Sequence, residues 1–469
     1  MSPDQVEIYQ HFNSIETLNG KRPLNKNITF MNHKLELMIR DYLDVGHYSA
    51  ALDLVDTVLT SQRCPLPSIL LAMVHCITRP VLQHDTDEFF LMSQRCYRLL
   101  KHVLSVYGSS VFEPIWNTFR SFHIVGGERY SLSTRSMVQK EPGYIRKGIG
   151  KEDGEEGEEG EEEKIDEILL GMHEYDDFWD LVSKCIKRKS DMPNTKRMSM
   201  RLILDILVAL LEHDIYEKQD NNELGKCIFL MMLRRDGMGI RTQLDTYLDT
   251  LFSLFEDSED GVDNNVDTYS LDIVSRIMNM LIYLAIVDKY VSFPNLSDQT
   301  YRHLRGLSTD QANAILVKIA YPIFALSISS IFLQDADTSL VLPEHQSYSK
   351  NVKPSDGVDK FFSFVLKTRP PEVNNIEDIY RHVSIVSWYW TSYMNSLSVC
   401  YENKPGHLDS LSGLSEDQTT VVFTSSEEAI KNWRKSIQKM IKGVGRSNAE
   451  MKKKVEQTMK LIELNLQII

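Results

Sequence analysis

Apolar residues along this chain recur at steps of three and four, the period of an α-helix, while the strict alternation of a half-buried strand is nearly absent. The pattern is clear first over residues 33–78. Leu35, Met38, Ile39 and Leu43 form one apolar stripe, Gly46 breaks it, and Tyr48, Ala51, Leu52, Val55 and Leu59 form the next. Alanines at Ala50 and Ala51 permit close helix approach, and Pro65 and Pro67 end the element. Helices are predicted next over 88–107, with Phe89, Phe90, Tyr97, Leu99, Leu100 and Val103, and over 109–124, with Val111, Ile115, Trp116 and Phe119.

Between Gly126 and Gly150 the period disappears, and residues 152–163 then hold nine acids, interspersed glycines and no base. Like charge at that density cannot bury a core, so a disordered linker is predicted. Long helices are predicted beyond it over 165–189, 196–217, 222–234, 240–256, 268–292, 309–334, 357–368 and 376–402. Residues 256–267 read as a second acidic linker, and 335–356 and 403–424 as loops. Near the C-terminus Ser425 with Glu428 and Ser447 with Glu450 make two capping boxes. They open stripes of Ile430, Trp433, Ile437, Ile441 and of Met451, Val455, Met459, Ile462, Leu466, with Gly443 and Gly445 between them.

The expected fold is therefore all-α, an α-solenoid-like helical repeat or helical bundle array in two blocks joined by a disordered acidic linker. The blocks are 1–125, the linker 126–164, the main block 165–424, and a basic helical hairpin 425–469. Helix, glycine turn, helix, proline stop over 33–78 is the pattern of a tetratricopeptide or pentatricopeptide unit. No second copy follows at that repeat length, so an ordinary αα-hairpin is the plainer reading.

Composition changes little in this picture. At 469 residues, 42% hydrophobic and 25% charged, the chain has ample core material. Mean hydropathy is −0.27. Residues 1–20 show no basic start, apolar run or cleavage site of a secretory signal. The most apolar stretch, 315–333, carries Lys318, Pro322 and three serines and reads as a central buried helix better than a bilayer span. An intracellular, soluble protein without membrane partners is expected. The formal charge of −14 is mostly the tract at 152–163, whose removal leaves −5, so net charge argues for no nucleic-acid partner. Cys64, Cys76, Cys96, Cys185, Cys227 and Cys400 are scattered without a C-x-x-C pair and read as buried thiols in a reducing compartment.

Enzymatic and ligand motifs fail on particular residues. Gly148, Gly150 and Lys151 lack Walker spacing and a preceding strand. Residues 256–267 place Gly261 as an EF-hand loop would, but begin with Glu256 and end with Asp267 where the loop needs Asp first and Glu last. His75 with Cys76, and His84, Asp85, Asp87 and Glu88, approach no zinc spacing. His173 with Glu174, Asp176 and Asp177, and Glu212, His213 and Asp214, have no second constellation to work with and read as helix-surface residues. No catalytic residue, cofactor or metal is expected.

Two basic patches remain as candidate contacts with a DNA backbone or a partner. One is Lys184, Lys187, Arg188, Lys189, Lys196, Arg197 and Arg201; the other is the C-terminal hairpin, with Lys431, Arg434, Lys435, Lys439, Lys442, Arg446, Lys452, Lys453 and Lys454. Ser131, Ser133, Thr134 and Ser136 around Arg135 make a candidate phosphorylation loop.

Residues 165–233 begin acidic, continue with Tyr175, Phe178, Trp179 and Leu181, and reach the run Leu204 to Asp214. With the helix Glu427 to Arg434, this order resembles the helical domain of proteins that interact with the coiled-coil SMC and NSE subunits, the CANIN domain. The resemblance implies a nuclear, non-catalytic adaptor that recruits or loads the SMC DNA-repair complex onto chromatin. It implies protein partners: a second helical subunit held in an apolar groove, and SMC coiled coils. The alternative from the residues alone is a tetratricopeptide- or pentatricopeptide-like RNA-binding or transcription-associated scaffold.

Overall fold

Residues 28–78, 86–112, 124–125, 128–129, 178–187, 194–233, 240–255, 267–287, 291–336, 365–367, 375–402, 416–444 and 449–467 are described by a computed structural model. They are overwhelmingly helical, as the apolar period requires. Ile124–Val125 pairs antiparallel with Glu128–Arg129. The linker at 126–164, apart from that pairing, and the phosphorylation loop lie outside the described residues.

The chain divides into two compact units, Met1–Arg276 and Ile277–Ile469. The first begins with α1 (His33–Asp44), α2 (Tyr48–Thr60), α3 (Pro67–Thr78) and α4 (Thr86–Tyr107). Asn32 caps α1 by accepting from the Lys34 N–H at 3.1 Å. Gly46, at φ +86°, makes the tight α1–α2 turn that a Cβ would strain. Of the predicted first stripe Ile39 is fully buried, whereas Met38 is exposed. The helix predicted over 109–124 is, among the described residues, a single 3-10 turn at Ser110–Phe112.

The unit continues with α5 (Phe178–Ile186), α6 (Asn194–Asp220), α7 (Ile228–Leu233), α8 (Ile240–Phe252) and the start of α9 (Thr268–Val287). Helix α6 is central, packed by α3, α4, α5 and α7. Helices from both sides of the glycine–glutamate tract thus share one core, and the division into units falls within α9 instead. Trp179 of α5 stacks on Tyr247 of α8 with centroids 4.2 Å apart. The buried Asp214 carboxylate accepts the Ile228 N–H at 2.5 Å, satisfying one open donor at the start of α7.

The second unit holds the rest of α9, then α10 (Phe293–Gly306), α11 (Thr309–Leu316), α12 (Pro322–Ala336), α13 (Ile376–Glu402), α14 (Glu416–Gly443) and α15 (Ala449–Gln467). The single helix predicted across 309–334 is two. A capping box of Ser308 and Gln311 starts α11, and Pro322, which has no N–H to give, starts α12. Asn279 braces the break, donating to Lys318 O at 3.1 Å and accepting from Ala320 N at 2.9 Å. The serines inside α12 turn inward: Ser329 and Ser330 donate to Ala325 O and Leu326 O one turn back.

Helix α13 is the hub here, packed by α11, α12, α14 and α15 around the fully buried Trp390. Arg381 on α13 donates to Leu304, Arg305 and Leu307 carbonyls and so finishes α10. The predicted capping box at Ser425 is not a helix start, since α14 already runs from Glu416. No glycine or proline lies between Glu416 and Lys442, and the β-branched run Thr419 to Val422 is carried within the helix. Ser447 lies outside the described residues. The stretch of α9 at Thr268–Ile286 is, among the described residues, the one helix long and apolar enough to cross a membrane; 67% of it is buried within the protein, as in a core helix.

Candidate functional site

Histidines and cysteines are the natural place to look for chemistry. His213 sits half-buried on α6, and burial lowers its pKa, so the ring is held neutral. Its neighbours are committed: Asp214 caps α7, and Glu212 belongs to an ion network. His75 is likewise lowered by burial. Next to it, Cys76 of α3 meets Cys96 of α4; the hydrogen bond to Cys76 and burial hold the Cys96 thiol well above its ordinary value. Burial pushes Cys64 and Cys185 up to about 12. The same hydrogen bond lowers the Cys76 thiol against its burial, whereas Cys64, Cys96 and Cys185 are packed thiols lacking the depressed pKa of a nucleophile. His84, Asp85, His173, Glu174, Asp176 and Asp177 lie outside the described residues. Among the described residues no group of three or more His, Cys, Asp or Glu side chains gathers as a metal site would.

A charged cluster that the sequence reading did not single out joins α4, α6 and α9. Arg276 gives Nη1 to Asp205 at 2.5 Å, and Nε and Nη2 to the two oxygens of Glu212 at 2.8 and 2.6 Å. Asp205 Oδ2 also accepts from the Tyr97 hydroxyl at 2.5 Å and from Lys101 Nζ at 3.0 Å. Burial raises the Asp205 carboxyl, but Arg276, Lys101 and the Tyr97 hydrogen bond outweigh it and hold the group at about 2. Each oxygen of both carboxylates accepts from a base or a hydroxyl, so the cluster clamps three helices. Its signal in sequence was a charge amid apolar runs: Asp205 and Glu212 seven residues apart on α6, and Arg276 inside α9.

The first basic patch is largely spent within the fold. Lys184 pairs with Asp180 one turn away at 2.7 Å. Arg197 donates to the Lys187 carbonyl at 2.5 Å. Arg201 donates to Asp267, to Ser270 Oγ at 3.2 Å and to the Cys185 carbonyl at 3.3 Å, and lies over the Tyr269 ring. Asp267, the last residue of the EF-hand-like run, is thus bound to Arg201 and to the first turn of α9. Lys187 and Lys196 are half-buried, and Arg188 and Lys189 lie outside the described residues.

The C-terminal patch divides. Lys454 reaches Asp310 of α11 at 2.7 Å and ties α15 to the unit, and Lys452 is half-buried beside the exposed Lys453. On α14, by contrast, Lys431, Arg434, Lys435, Lys439 and Lys442 are all exposed; Lys431, Lys435, Lys439 and Lys442 follow at steps of four and three and share one face, with Arg434 at its edge one turn from Lys431. Residues 429–444 contain no acid. Arg434 meets Glu463 of α15 at 3.2 Å; no ion pair engages the four lysines among the described residues. Trp433 and Ile437, on the opposite face, are buried where α14 packs against α13, α15 and the 3-10 turn Val365–Lys367. No known family model matches the chain, and a search of curated proteins finds no relative.

Proposed function

We propose that this chain is a non-catalytic helical scaffold that holds a helical partner subunit and lays α14 along the phosphate backbone of DNA. The observation that carries this reading is the acid-free basic stripe of α14, set against the engaged bases at Lys184, Arg197, Arg201 and Lys454. From Lys431 to Lys442 the stripe is about 16 Å long at the α-helical rise. One strand of a duplex carries a charge about every 3.4 Å, so five cations face about five phosphates. Contact of this kind reads backbone without sequence. The buried apolar face of α14 has nothing to insert into a bilayer, which sets it apart from an interfacial membrane helix. The resemblance to CANIN-type adaptors gives this scaffold a setting, recruitment of an SMC DNA-repair complex to chromatin in the nucleus.

The test is fluorescence anisotropy with a labelled 24-base-pair duplex over a potassium chloride series. Binding is expected to weaken with salt at a log–log slope of about −4.5. Changing Lys431, Lys435, Lys439 and Lys442 together to Gln is expected to reduce the slope to about −1. Equal affinity of that variant and the parent would refute the α14 assignment. A pull-down from nuclear extract without any SMC-complex subunit would refute the setting. A repeat-type RNA-binding scaffold finds less support, because Gly46 is, among the described residues, the one glycine whose positive φ joins two successive α-helices.

A further inference from the structure

Ten large hydrophobic side chains are exposed among the described residues, and four of them, Leu37, Met38, Tyr42 and Val45, belong to α1 and the residue that ends it. Met38 is 46% exposed and Val45 72%. The other side of α1 is committed to the fold. Ile39 is buried, and so is Glu36, which accepts from the Ser68 hydroxyl of α3. Single exposed hydrophobes are ordinary, but a contiguous stripe on one helix marks a surface that something covers.

The charges within the stripe say what fits it. Lys34 and Asp41 are both exposed, seven residues apart and so on the same face as Met38. Neither has an opposite charge three or four residues away, so neither can pair along its own helix. They also stand symmetrically about the point between Leu37 and Met38, each about 5 Å from it along the axis. The order base, leucine, methionine, acid is therefore complementary to itself when one copy runs against another. A parallel partner copy would set Lys34 on Lys34 and Asp41 on Asp41, whereas an antiparallel one matches each base with an acid.

We propose that two copies of this chain pair through α1, antiparallel about a two-fold axis between Leu37 and Met38. Leu37 and Met38 of one copy cover those of the other at the axis. Lys34 of each copy faces Asp41 of the second, with Tyr42 and Val45 towards the ends of the contact. The apolar stripe supplies the affinity; the exposed ion pairs contribute little of it and fix direction and register. One 12-residue helix on another buries less than the roughly 800 Å² a side of a standard interface, so the dimer is a reversible one. This inference is independent of DNA binding by α14.

Sedimentation equilibrium of the full chain over a concentration series from about 1 to 300 µM tests it. The mass is expected to rise from 54.1 kDa towards twice that value. Met38→Asp, at an exposed position that leaves the hairpin core intact, is expected to hold the chain at the monomer mass with an unchanged melting temperature. Lys34→Asp sets two acids against each other at both ends of the contact, and Asp41→Lys sets two bases. Each variant alone is expected to weaken the dimer at least tenfold. Mixed in equal amounts they restore both pairs, and the mixture is expected to dimerise as the parent does. A parent that stays monomeric throughout would overturn the proposal. So would a dimer that survives Met38→Asp, or a mixture of the two charge variants no heavier than either alone.

Discussion

Asp205→Asn is the most informative single change in the first unit. It keeps size and a hydrogen-bond acceptor for Tyr97 but removes the charge that faces Arg276 and Lys101. Two cations and two carboxylates then become two cations and one carboxylate, in a cluster where the Arg276 side chain is only 11% exposed. Breaking a buried ion pair by removing one partner costs about 3 kcal/mol or more. The titration of Asp205 gives a second measure of the same interaction. Its fall from 3.8 to about 2 corresponds to about 2.4 kcal/mol at neutral pH. A carboxyl with a depressed folded pKa contributes stability that is complete above its unfolded value near 4 and lost as pH falls through about 2. The gap between parent and variant should hold steady from pH 7 to about 5, and about 1 kcal/mol of it should be gone at pH 3. Scanning calorimetry on both proteins should show a Tm difference of about 5–10 °C at pH 7. A difference under about 1 °C at pH 7 would refute the account, and so would a gap unchanged at pH 3.

Three further changes probe other parts of the fold. Asn279→Ala removes both braces across the α11–α12 break and leaves the Ala320 N–H and Lys318 carbonyl unmatched; a loss of about 2 kcal/mol is expected, read as a lowered Tm. Gly108→Ala places a Cβ at φ +80° against the Glu217 carboxylate, which itself accepts from Ser109 N and Oγ at 2.7 and 2.8 Å; a loss of about 2 kcal/mol is expected in urea unfolding. Cys64 and Cys185, raised to about 12, carry roughly one thiolate in ten thousand at pH 8. Ellman's reagent should therefore leave both unlabelled for hours in the native protein and modify them on denaturation, and native labelling within minutes would contradict their burial.

The helices were legible because their signal is local. A stripe at steps of three and four lies within a few turns, as does the break at Gly46, and α1, α2, α6 and α13 follow from such local patterns. Helix ends failed where two local rules conflicted. Pro322 lies inside a continuous apolar run that reads as one helix, yet its missing N–H makes it a helix start. Ser425 looked like a cap although no glycine or proline separated it from Glu416. The division of the chain into units was out of reach of composition. The glycine–glutamate tract shows that a segment cannot form a core; it does not say whether the helices on either side share one.

Charge was the least legible layer, because the partner of a base is fixed by the fold over long separations. Arg201 finds Asp267, Arg276 finds Asp205 and Glu212, and Lys454 finds Asp310, across 66, 71, 64 and 144 residues. Counting bases in a window makes residues 184–201 and 431–454 look equivalent, though carboxylates and backbone carbonyls engage Lys184, Arg197 and Arg201 in the first. What distinguishes α14 is a joint property. Its window from 429 to 444 holds no acid, so no partner is available one turn away, and its apolar residues fall on a single opposite face. That second condition keeps the four lysines turned to solvent, while Arg434 on the same face also reaches Glu463 of α15. A basic run is a candidate surface only when both conditions hold: the first can be read from sequence, and the second needs the packing of α14 on α13 and α15.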